Sequence, residues 1–330
     1  MNFTKYSSLT NVSEKFINKL VAMGHHDIPY IVNEKIHGAN FGVHWDRKNG
    51  VRFSKRSGFI KEGEVFYAHT KLVDNLTGKI LNLRDTYEEC ESISVFGEIF
   101  GGSFYGDQEI GSKRVQKEVQ YSPKTEFMAF DVKLGDTYID GHGAMCILQL
   151  HGFTCPPHLG VFNTLEEALK VANDMESKVP AQLGFTAKEG NIMEGVVIKP
   201  AYKDIVLPNG KRLIIKNKNS KFTEKNSEKK VVNIKELSPH AKQLVESLSS
   251  YINGNRLSNV VSKEGTLTSK DFGRIMGLFI QDAITDFNED TESNFKELLD
   301  SEYKQALKTI NTIARGVLLE DWTDILEDQE

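Results

Sequence analysis

The spacing of hydrophobic positions changes several times along the chain, and each change predicts a different element. Between residues 11 and 23, apolar side chains recur every three or four positions, which predicts an amphipathic helix capped by Asn11 or Ser13. Residues 30–32 form a short apolar run that we expect to be a buried strand. A β-hairpin is predicted by the alternation of apolar with small or polar residues over positions 41–45, the turn-forming segment after it, and the run of residues 51–53.

Helical and strand-like patterns then alternate as far as residue 216. Antiparallel sheets with flanking helices fit this mixture, so the sequence predicts the α+β fold class for this part of the chain. Helical spacing covers residues 66–83, 144–150 and 165–175, and strand-like runs cover residues 93–99, 126–132, 192–199 and 212–216.

The pattern changes again after a polar, lysine-rich stretch at residues 217–230, towards whose end we place a domain linker. Residues 239–252, 269–287 and 295–313 all show helical spacing without strand alternation. We therefore predict two domains. Residues 1–232 form the α+β domain, and residues 233–330 form a small all-α domain.

The charge is unevenly distributed along the chain. The net charge is -5, but residues 282–330 hold fourteen acidic and four basic side chains, a net of -10, which leaves +5 on residues 1–281. The basic part is where a phosphate backbone would bind. No apolar run reaches membrane-spanning length, no secretory signal begins the sequence, and the three cysteines form no zinc-type pair. We expect a cytoplasmic protein with no membrane partner.

Lys35 is the first candidate for chemistry. It follows the apolar run of residues 30–32 and precedes His37, Gly38 and Asn40. A lysine amine becomes a nucleophile when its surroundings lower its pKa, and it can then attack phosphorus to form a phosphoramide. Gly38 would let the backbone turn close to a bound nucleotide. A single Lys-x-x-Gly is common, however, and more often marks a surface lysine before a turn.

Other charged residues occupy positions where charge is costly. Glu98 ends an apolar strand and is a candidate for ribose hydroxyls or a metal ion. Glu194 and Lys199 bracket an apolar strand, which favours a ligand or an ion pair between them. Lys216 and Lys218 share a strand face, where an anion such as a triphosphate would relieve their repulsion.

Two further candidates have ordinary structural explanations that are more common than a functional one. Arg56 precedes a turn and has a guanidinium suited to phosphate oxygens, although such a position is commonly a plain surface charge. Phe127 or Phe130 would offer an aromatic face to a base, although core packing explains either one.

Taken in order, these residues resemble motifs I, III, IIIa, IV and V of the covalent nucleotidyltransferases, which include ligases and mRNA capping enzymes. Further runs make the chain similar, essentially from end to end, to the bacteriophage RNA ligase 2 family. The runs that carry the likeness are Lys35-Ile36-His37-Gly38, Phe96-Gly97-Glu98, residues 127–130, Glu194-Gly195, Lys5-Tyr6-Ser7-Ser8-Leu9, residues 215–222 and residues 270–278.

The resemblance implies a three-step reaction with ATP and Mg²⁺. The lysine takes AMP from ATP, passes it to a 5′-phosphate, and a 3′-hydroxyl then expels it. Lys35 would be the nucleophile, Phe127 would stack on adenine, Glu98 would contact the ribose, and Glu194 would assist metal binding or the lysine. The resemblance further assigns nucleotide contacts to Glu34, Ile36, Asn40, Arg56, Lys199, Lys216 and Lys218, and nucleic-acid contacts to His37, Asn40, Arg256 and Asp282.

The substrate implied by the resemblance is a nick in duplex RNA or an RNA:DNA hybrid, sealed by a monomer that engages the nick through its helical C-terminal domain. A repair enzyme of this family would act in the host cytoplasm if a phage encodes it. An A-form-like duplex would be recognised by its shape and its 2′-hydroxyl groups.

Other readings of the sequence are weaker. DNA ligases and capping enzymes continue into an OB domain with an Arg-x-Asp-Lys motif, which we do not find. An NAD-dependent ligase carries an extra N-terminal segment, whereas thirty-four residues precede Lys35. A non-catalytic RNA-binding relative would have lost the lysine or the carboxylates of these motifs.

Overall fold

The structure is a computed structural model that describes residues 2–223, 237–291, 294–298 and 300–327. The chain divides into two compact units, Met1–Lys221 and Phe222–Glu330. The predicted domain boundary at residues 232–233 lies outside the described residues, as does the second half of the lysine-rich stretch, towards whose end we placed the linker.

The N-terminal unit contains two sheets, which confirms the predicted α+β class with antiparallel sheets. Its helices are α1 (Glu14–Ala22), α2 (Val73–Thr86), α3 (Gly141–Leu150), α4 (Leu165–Leu169) and α5 (Val179–Gln182). Its strands are β1 (Thr10–Asn11), β2 (Tyr30–Glu34), β3 (Ala39–Asp46), β4 (Gly50–Lys55), β5 (Gly58–Phe59), β6 (Ser92–Ser103), β7 (Ser122–Leu134), β8 (Thr137–Tyr138), β9 (His158–Phe162), β10 (Gly195–Pro200) and β11 (Ile215–Lys218).

The strand order explains how distant parts of the sequence meet. One sheet has the order β1-β11-β10-β2-β9, in which β1 and β11 are parallel and the other pairs are antiparallel. The other sheet is antiparallel throughout, with the order β5-β4-β3-β6-β7-β8. The strand that precedes Lys35 therefore lies beside β10, which begins directly after Glu194.

Three groups of apolar side chains hold this unit together. Phe41, Ile80 and Leu148 belong to a core that joins the six-stranded sheet to α2 and α3. A second core joins the five-stranded sheet to α1 and α4. Phe96 of β6 and Ile214, next to β11, share a small cluster with Tyr6, so this cluster links residues of both sheets.

Several predicted elements are confirmed, with shifted ends. The β3–β4 hairpin forms, and the Ser13 side chain caps α1 by accepting a hydrogen bond from the Phe16 amide. The helix predicted from residue 66 begins only at Val73, because Tyr67 adopts a left-handed φ of 48° and residues His69–Lys71 form a separate 3₁₀ turn. The helix predicted over residues 165–175 ends at Leu169.

The described residues of the C-terminal unit contain helices and no strand, in agreement with its predicted all-α character. Its helices are α6 (Pro239–Ser249), α7 (Gly254–Ser262), α8 (Phe272–Thr291) and α9 (Asp300–Glu327). Buried residues of all four helices share one core. The sequence analysis did not predict α7. Within the described part of the chain, no helix has the length and apolar character that a membrane crossing requires.

Candidate active site

Lys35 emerges directly from the end of β2, where its backbone N–H donates to the carbonyl of Gly195 at 2.8 Å. This hydrogen bond fixes the residue against the start of β10, and the side chain is only 16% exposed. The Lys35 ammonium donates to Glu194 Oε2 at 2.6 Å. Residues 159 positions apart in sequence are thus brought together by the pairing of two neighbouring strands.

Glu194 is a buried carboxylate surrounded by cations. Lys218 Nζ lies 2.9 Å from Oε1, and His37 Nδ1 lies 3.4 Å from Oε2. Burial opposes the charge on Glu194, but Lys218, Lys35 and His37 together hold its pKa well below the usual range. Glu194 is therefore ionised and acts as the electrostatic centre of the cluster.

Glu98 belongs to the same cluster through β6, which pairs Glu98 with Asn40 of β3. Burial raises the pKa of Glu98 to about 7, and the cations Lys35, His37 and Arg56 oppose this rise. Neutral and ionised forms of Glu98 are therefore both accessible near neutral pH.

Gly38 is required because its loop lies directly against β6. A Cβ built at this position would lie 2.3 Å from the carbonyl oxygen of Ile99 and 2.8 Å from Cγ of Glu98. The missing side chain thus allows the nucleophile loop to approach β6. That Gly38 also lets the backbone turn close to a bound nucleotide remains a prediction.

The position of Phe127 argues against the adenine stacking that we predicted for it. A Cβ added to Gly97 would lie 2.3 Å from the Phe127 ring, so this ring lies on the face of β6 opposite to Glu98. Phe127 also packs edge-on against Phe41 in the core next to α2 and α3. Phe130, the alternative considered from the sequence, is partly exposed and packs instead against Tyr6.

Lys199 has a buried ion-pair partner that the sequence analysis missed. Its ammonium donates to the carbonyl of Phe130 at 2.7 Å and lies 3.6 Å from Asp131 Oδ2. The same carboxylate oxygen receives Arg212 at 2.7 Å and the Tyr6 hydroxyl at 2.8 Å. Burial opposes the charge on Asp131, but Lys199 and Arg212 lower its pKa. The contact of Lys199 with phosphates remains a prediction.

The remaining predicted basic residues occupy the same unit. Arg56 follows β4, and its guanidinium donates to the carbonyl of Tyr6 at 2.8 Å and to Ser8 Oγ at 3.2 Å. Lys216 and Lys218 are two positions apart on β11, where they pair with Val197 and Gly195. Alternate residues of a strand share a face, so the two lysines face the same side of the sheet.

Glu34 and Ile36 flank the nucleophile, and both are almost fully buried. The Glu34 carboxylate accepts hydrogen bonds from Ser177 Oγ at 2.5 Å and from the Lys178 amide at 2.9 Å. Burial raises the pKa of Glu34 to about 7. Its carboxylate therefore holds a neighbouring segment in place, and a nucleotide contact by Glu34 remains a prediction.

In the C-terminal unit, the structure places Arg256 and Asp282 together. Arg256 Nη1 lies 2.6 Å from Asp282 Oδ2 and 2.9 Å from Asp286 Oδ2, and the arginine is 1% exposed. Lys263 also pairs with Asp282. The guanidinium of Arg256 thus holds α7 against α8. The buried guanidinium offers almost no surface to a nucleic acid in this conformation. The nucleic-acid contacts of Arg256 and Asp282 remain a prediction.

Sequence reasoning missed several residues that reach the nucleophile loop. Tyr121 accepts a hydrogen bond from the His37 amide at 3.0 Å, and Glu118 lies 3.0 Å from His37 Nε2. Both are more than 80 positions away in sequence and lie in or next to the loop between β6 and β7. No local pattern marks them, because their partners are set by the tertiary fold.

The site fits a magnesium ion that phosphates help to hold. The described residues contain no cluster of three or more His, Cys, Asp or Glu side chains suited to a metal. Within that part of the chain, Glu194 Oε1 has an ion-pair partner but no aligned hydrogen-bond donor, which leaves a lone pair for a cation. Mg²⁺ is commonly bound by one or two carboxylates together with substrate phosphates and water.

Comparison with known families agrees with this geometry. A family model described as RNA ligase matches residues 28–218, more than half of the chain, and the chain belongs to the RNA ligase family. A second model, described as T4 RNA ligase 2 C-terminal, matches residues 235–315. The two matches confirm the resemblance to RNA ligase 2 stated from the sequence.

Among curated relatives, the mitochondrial RNA-editing ligase 2 of Trypanosoma brucei brucei is 25% identical, with 99% of this chain and 93% of that protein covered. The mitochondrial RNA-editing ligase 1 of the same organism is 26% identical, with 99% and 84% covered. A solved mutant RNA ligase of Naegleria gruberi with ATP and Mn has a TM-score of 0.44 at 16% identity. The match covers 67% of this chain, which spans 57% of that structure.

Proposed function

We propose that this protein is an ATP-dependent RNA ligase that joins a 3′-hydroxyl to a 5′-phosphate at nicks in duplex RNA or RNA:DNA hybrids. One observation carries the proposal. In a chain of the RNA ligase family, a largely buried lysine amine lies 2.6 Å from a carboxylate whose other oxygen faces a second lysine. Such an arrangement offers a nucleophile next to positive charge that can receive phosphate oxygens.

In the first step, Lys35 Nζ gives up its proton and attacks the α-phosphorus of ATP. The new N–P bond forms as the bond from this phosphorus to the pyrophosphate oxygen breaks. Glu194 fixes the amine before the attack, because it accepts its hydrogen bond directly. Lys218, Lys216, Lys199 and Arg56 would bind the phosphates, whose negative charge their positive charges complement.

Different residues are candidates for binding the adenine base and the ribose of ATP. We assign adenine stacking to Phe130, because it is partly exposed while Phe127 is part of the core on the opposite face. Stacking of a base on an aromatic ring contributes about 1–3 kcal/mol. Glu98 would accept hydrogen bonds from the ribose hydroxyls in its ionised form.

In the second step, an oxygen of the 5′-phosphate attacks the phosphorus of AMP, and the N–P bond to Lys35 breaks. In the third step, the 3′-hydroxyl attacks the activated 5′-phosphate, loses its proton, and AMP leaves. Mg²⁺, when bound, would neutralise charge that develops on the phosphate oxygens, and Glu194 Oε1 is the atom positioned to meet it.

The decisive experiment measures the intact mass of the protein after incubation with ATP and Mg²⁺. Wild type should gain one AMP, and Lys35→Ala should gain none. Lys170→Ala is the matched control, since this exposed lysine pairs with Glu166 of the adjoining helix α4. Treatment with pyrophosphate first removes any AMP attached during expression. A wild-type protein whose mass never changes would refute the ligase and favour a non-catalytic RNA-binding protein.

The substrate is tested separately with three nicked or single-stranded substrates of the same sequence. Sealing of nicked duplex RNA, and of RNA:DNA hybrid with RNA at the 3′-hydroxyl side, is expected to exceed sealing of single-stranded RNA. Equal joining of single strands and nicks would contradict the proposed duplex substrate while leaving the lysyl-AMP chemistry intact.

A further inference from the structure

The loop of residues 104–121, between β6 and β7, is fixed to the site at several points. Gln116 Nε2 donates to the carbonyl of Gly38 at 3.2 Å. Gln120 exchanges two hydrogen bonds with Asn191, at 2.8 and 2.7 Å. Glu118 lies between these two anchored glutamines, so its backbone is held on both sides.

The Glu118 carboxylate reaches the ring of His37. Oε2 lies 3.0 Å from His37 Nε2 and also accepts the Lys117 amide at 3.1 Å. Burial opposes the charge on Glu118, but its hydrogen bond and charge interaction with His37 lower its pKa to about 2. The contact is therefore made by an ionised acceptor.

The other ring nitrogen of His37 faces the nucleophile. Nδ1 lies 3.4 Å from Glu194 Oε2, the same oxygen that accepts the Lys35 ammonium at 2.6 Å. The imidazole thus spans two carboxylates, with the shorter contact at Glu118. Because His37 and Lys35 share one oxygen, any rotation of the ring changes the surroundings of the nucleophile.

We propose that Glu118 is a positioning residue for lysyl-AMP formation, which holds the His37 ring so that Nδ1 faces Glu194 beside Lys35. This inference rests on the proposed function and deepens it. Glu118 acts through His37 and does not contact the reacting atoms. Its effect follows from geometry, since reactions of this kind lose rate steeply when a catalytic group is displaced by about 1 Å.

The test is the single-turnover rate of lysyl-AMP formation in the full chain, followed by quenching and intact mass. Glu118→Ala should slow this rate by about 10- to 100-fold. Glu118→Gln should recover most of it, because an amide oxygen still accepts a hydrogen bond from the ring. Glu109→Ala is the matched control, since Glu109 lies in the same loop and pairs with Lys71 away from the ring. It should remain within about twofold of wild type, the scatter expected for an uncoupled site.

A double-mutant cycle separates positioning from a general effect on the loop. In a His37→Ala background, Glu118→Ala should cause no further loss, because its partner is already absent. An equal loss in both backgrounds, or no loss in the wild-type background, would overturn the proposal.

A second readout does not depend on activity. Histidine-selective ¹⁵N spectra identify the His37 ring as the signals missing from His37→Ala. These signals should shift in Glu118→Gln and stay unchanged in Glu109→Ala, and unshifted signals in Glu118→Gln would refute the contact. Because the spectra need no turnover, they test the contact between Glu118 and His37 even if wild type forms no lysyl-AMP, so failure of the contact and failure of the proposed function are distinguished.

Discussion

Replacement of Gly38 by alanine tests how closely the nucleophile loop must approach β6. The added Cβ would meet the Ile99 carbonyl oxygen at 2.3 Å, whereas ordinary van der Waals contact begins at 3.4 Å. The loop or the strand must therefore move by about 1.1 Å, and a paired backbone carbonyl cannot rotate away as a flexible side chain can. Overpacking of this kind costs about 1–3 kcal/mol of folding free energy.

The same displacement acts on function. Because Lys35 and His37 lie in the shifted loop and Glu98 lies on the strand, we expect lysyl-AMP formation to fall by about 100-fold. Urea unfolding followed by fluorescence of Trp45, in a Trp322→Phe background, reports on the N-terminal unit alone. Intact mass at fixed times after ATP addition reports on the chemical step.

Gly78→Ala provides the matched control. Gly78 lies within α2, and, apart from its chain neighbours and the backbone of its own helix, no atom of the described residues lies within 4 Å of a Cβ built there. Alanine should stabilise this helix by about 0.5–1 kcal/mol and leave the rate of lysyl-AMP formation unchanged. If Gly38→Ala proved as stable and as active as Gly78→Ala, the steric argument for the nucleophile loop would be wrong.

Three other predictions concern the aromatic residues, Glu34 and Arg256. Phe130→Ala should raise the KM for ATP about tenfold with little loss of stability, whereas Phe127→Ala should cost about 3–5 kcal/mol of unfolding free energy; the reverse pattern would restore Phe127 as the stacking residue. Burial raises the pKa of Glu34 to about 7 from 4.5, so the stability it contributes is complete below pH 4.5 and is lost as the pH rises through 7. As the pH rises from 4.5 through 7, the unfolding free energy of Glu34→Gln should therefore gain about 3 kcal/mol relative to that of wild type in urea titrations. A difference that stays constant with pH would contradict the raised pKa of Glu34. Arg256→Met should destabilise the C-terminal unit by about 3 kcal/mol, read from Trp322 fluorescence in urea, because it removes the buried cation that Asp282 and Asp286 share. Unchanged unfolding would leave a nucleic-acid role as the better explanation.

Local patterns predicted elements whose partners are close in sequence. The hairpin of β3 and β4 follows from alternation around a turn, and α1 follows from its helical spacing and its Ser13 cap. Helix α7 was missed because it begins at Gly254, a residue that disfavours helix. Here the packing of the all-α unit decides the conformation.

The choice of the phenylalanine that stacks on adenine could not be made from the sequence, because it depends on the register of the strands. Asp131 pairs with Phe96, but Ala129 pairs with the next residue, Gly97, so Phe130 is the extra residue of a β-bulge. A bulge interrupts the alternation of faces and redirects a side chain. One sequence does not reveal where such an irregularity falls, so the choice between Phe127 and Phe130 required the fold.

The charged cluster was predicted in part for a similar reason. Glu98 and Glu194 were found because charge next to apolar strands is costly and calls for a partner. Lys218 was found because it shares a strand face with Lys216, and their repulsion calls for an anion. The contact of Lys35 with Glu194, and the contributions of Glu118 and Asp131, depend on positions 80 or more apart. Patterns within a short window carry no information about such pairs.

The parallel pairing of β1 with β11 has a consequence for the order in which the protein is made. Thr10 pairs with Ile215, so the edge of the five-stranded sheet joins the beginning of the chain to a strand synthesised about two hundred residues later. Contacts of such separation are slow to form. On the ribosome, Lys35 emerges long before Lys218, which completes the charge cluster around Glu194. A nascent chain should therefore gain its capacity to react with ATP abruptly, once β11 has left the exit tunnel, and arrested chains of increasing length would locate that point.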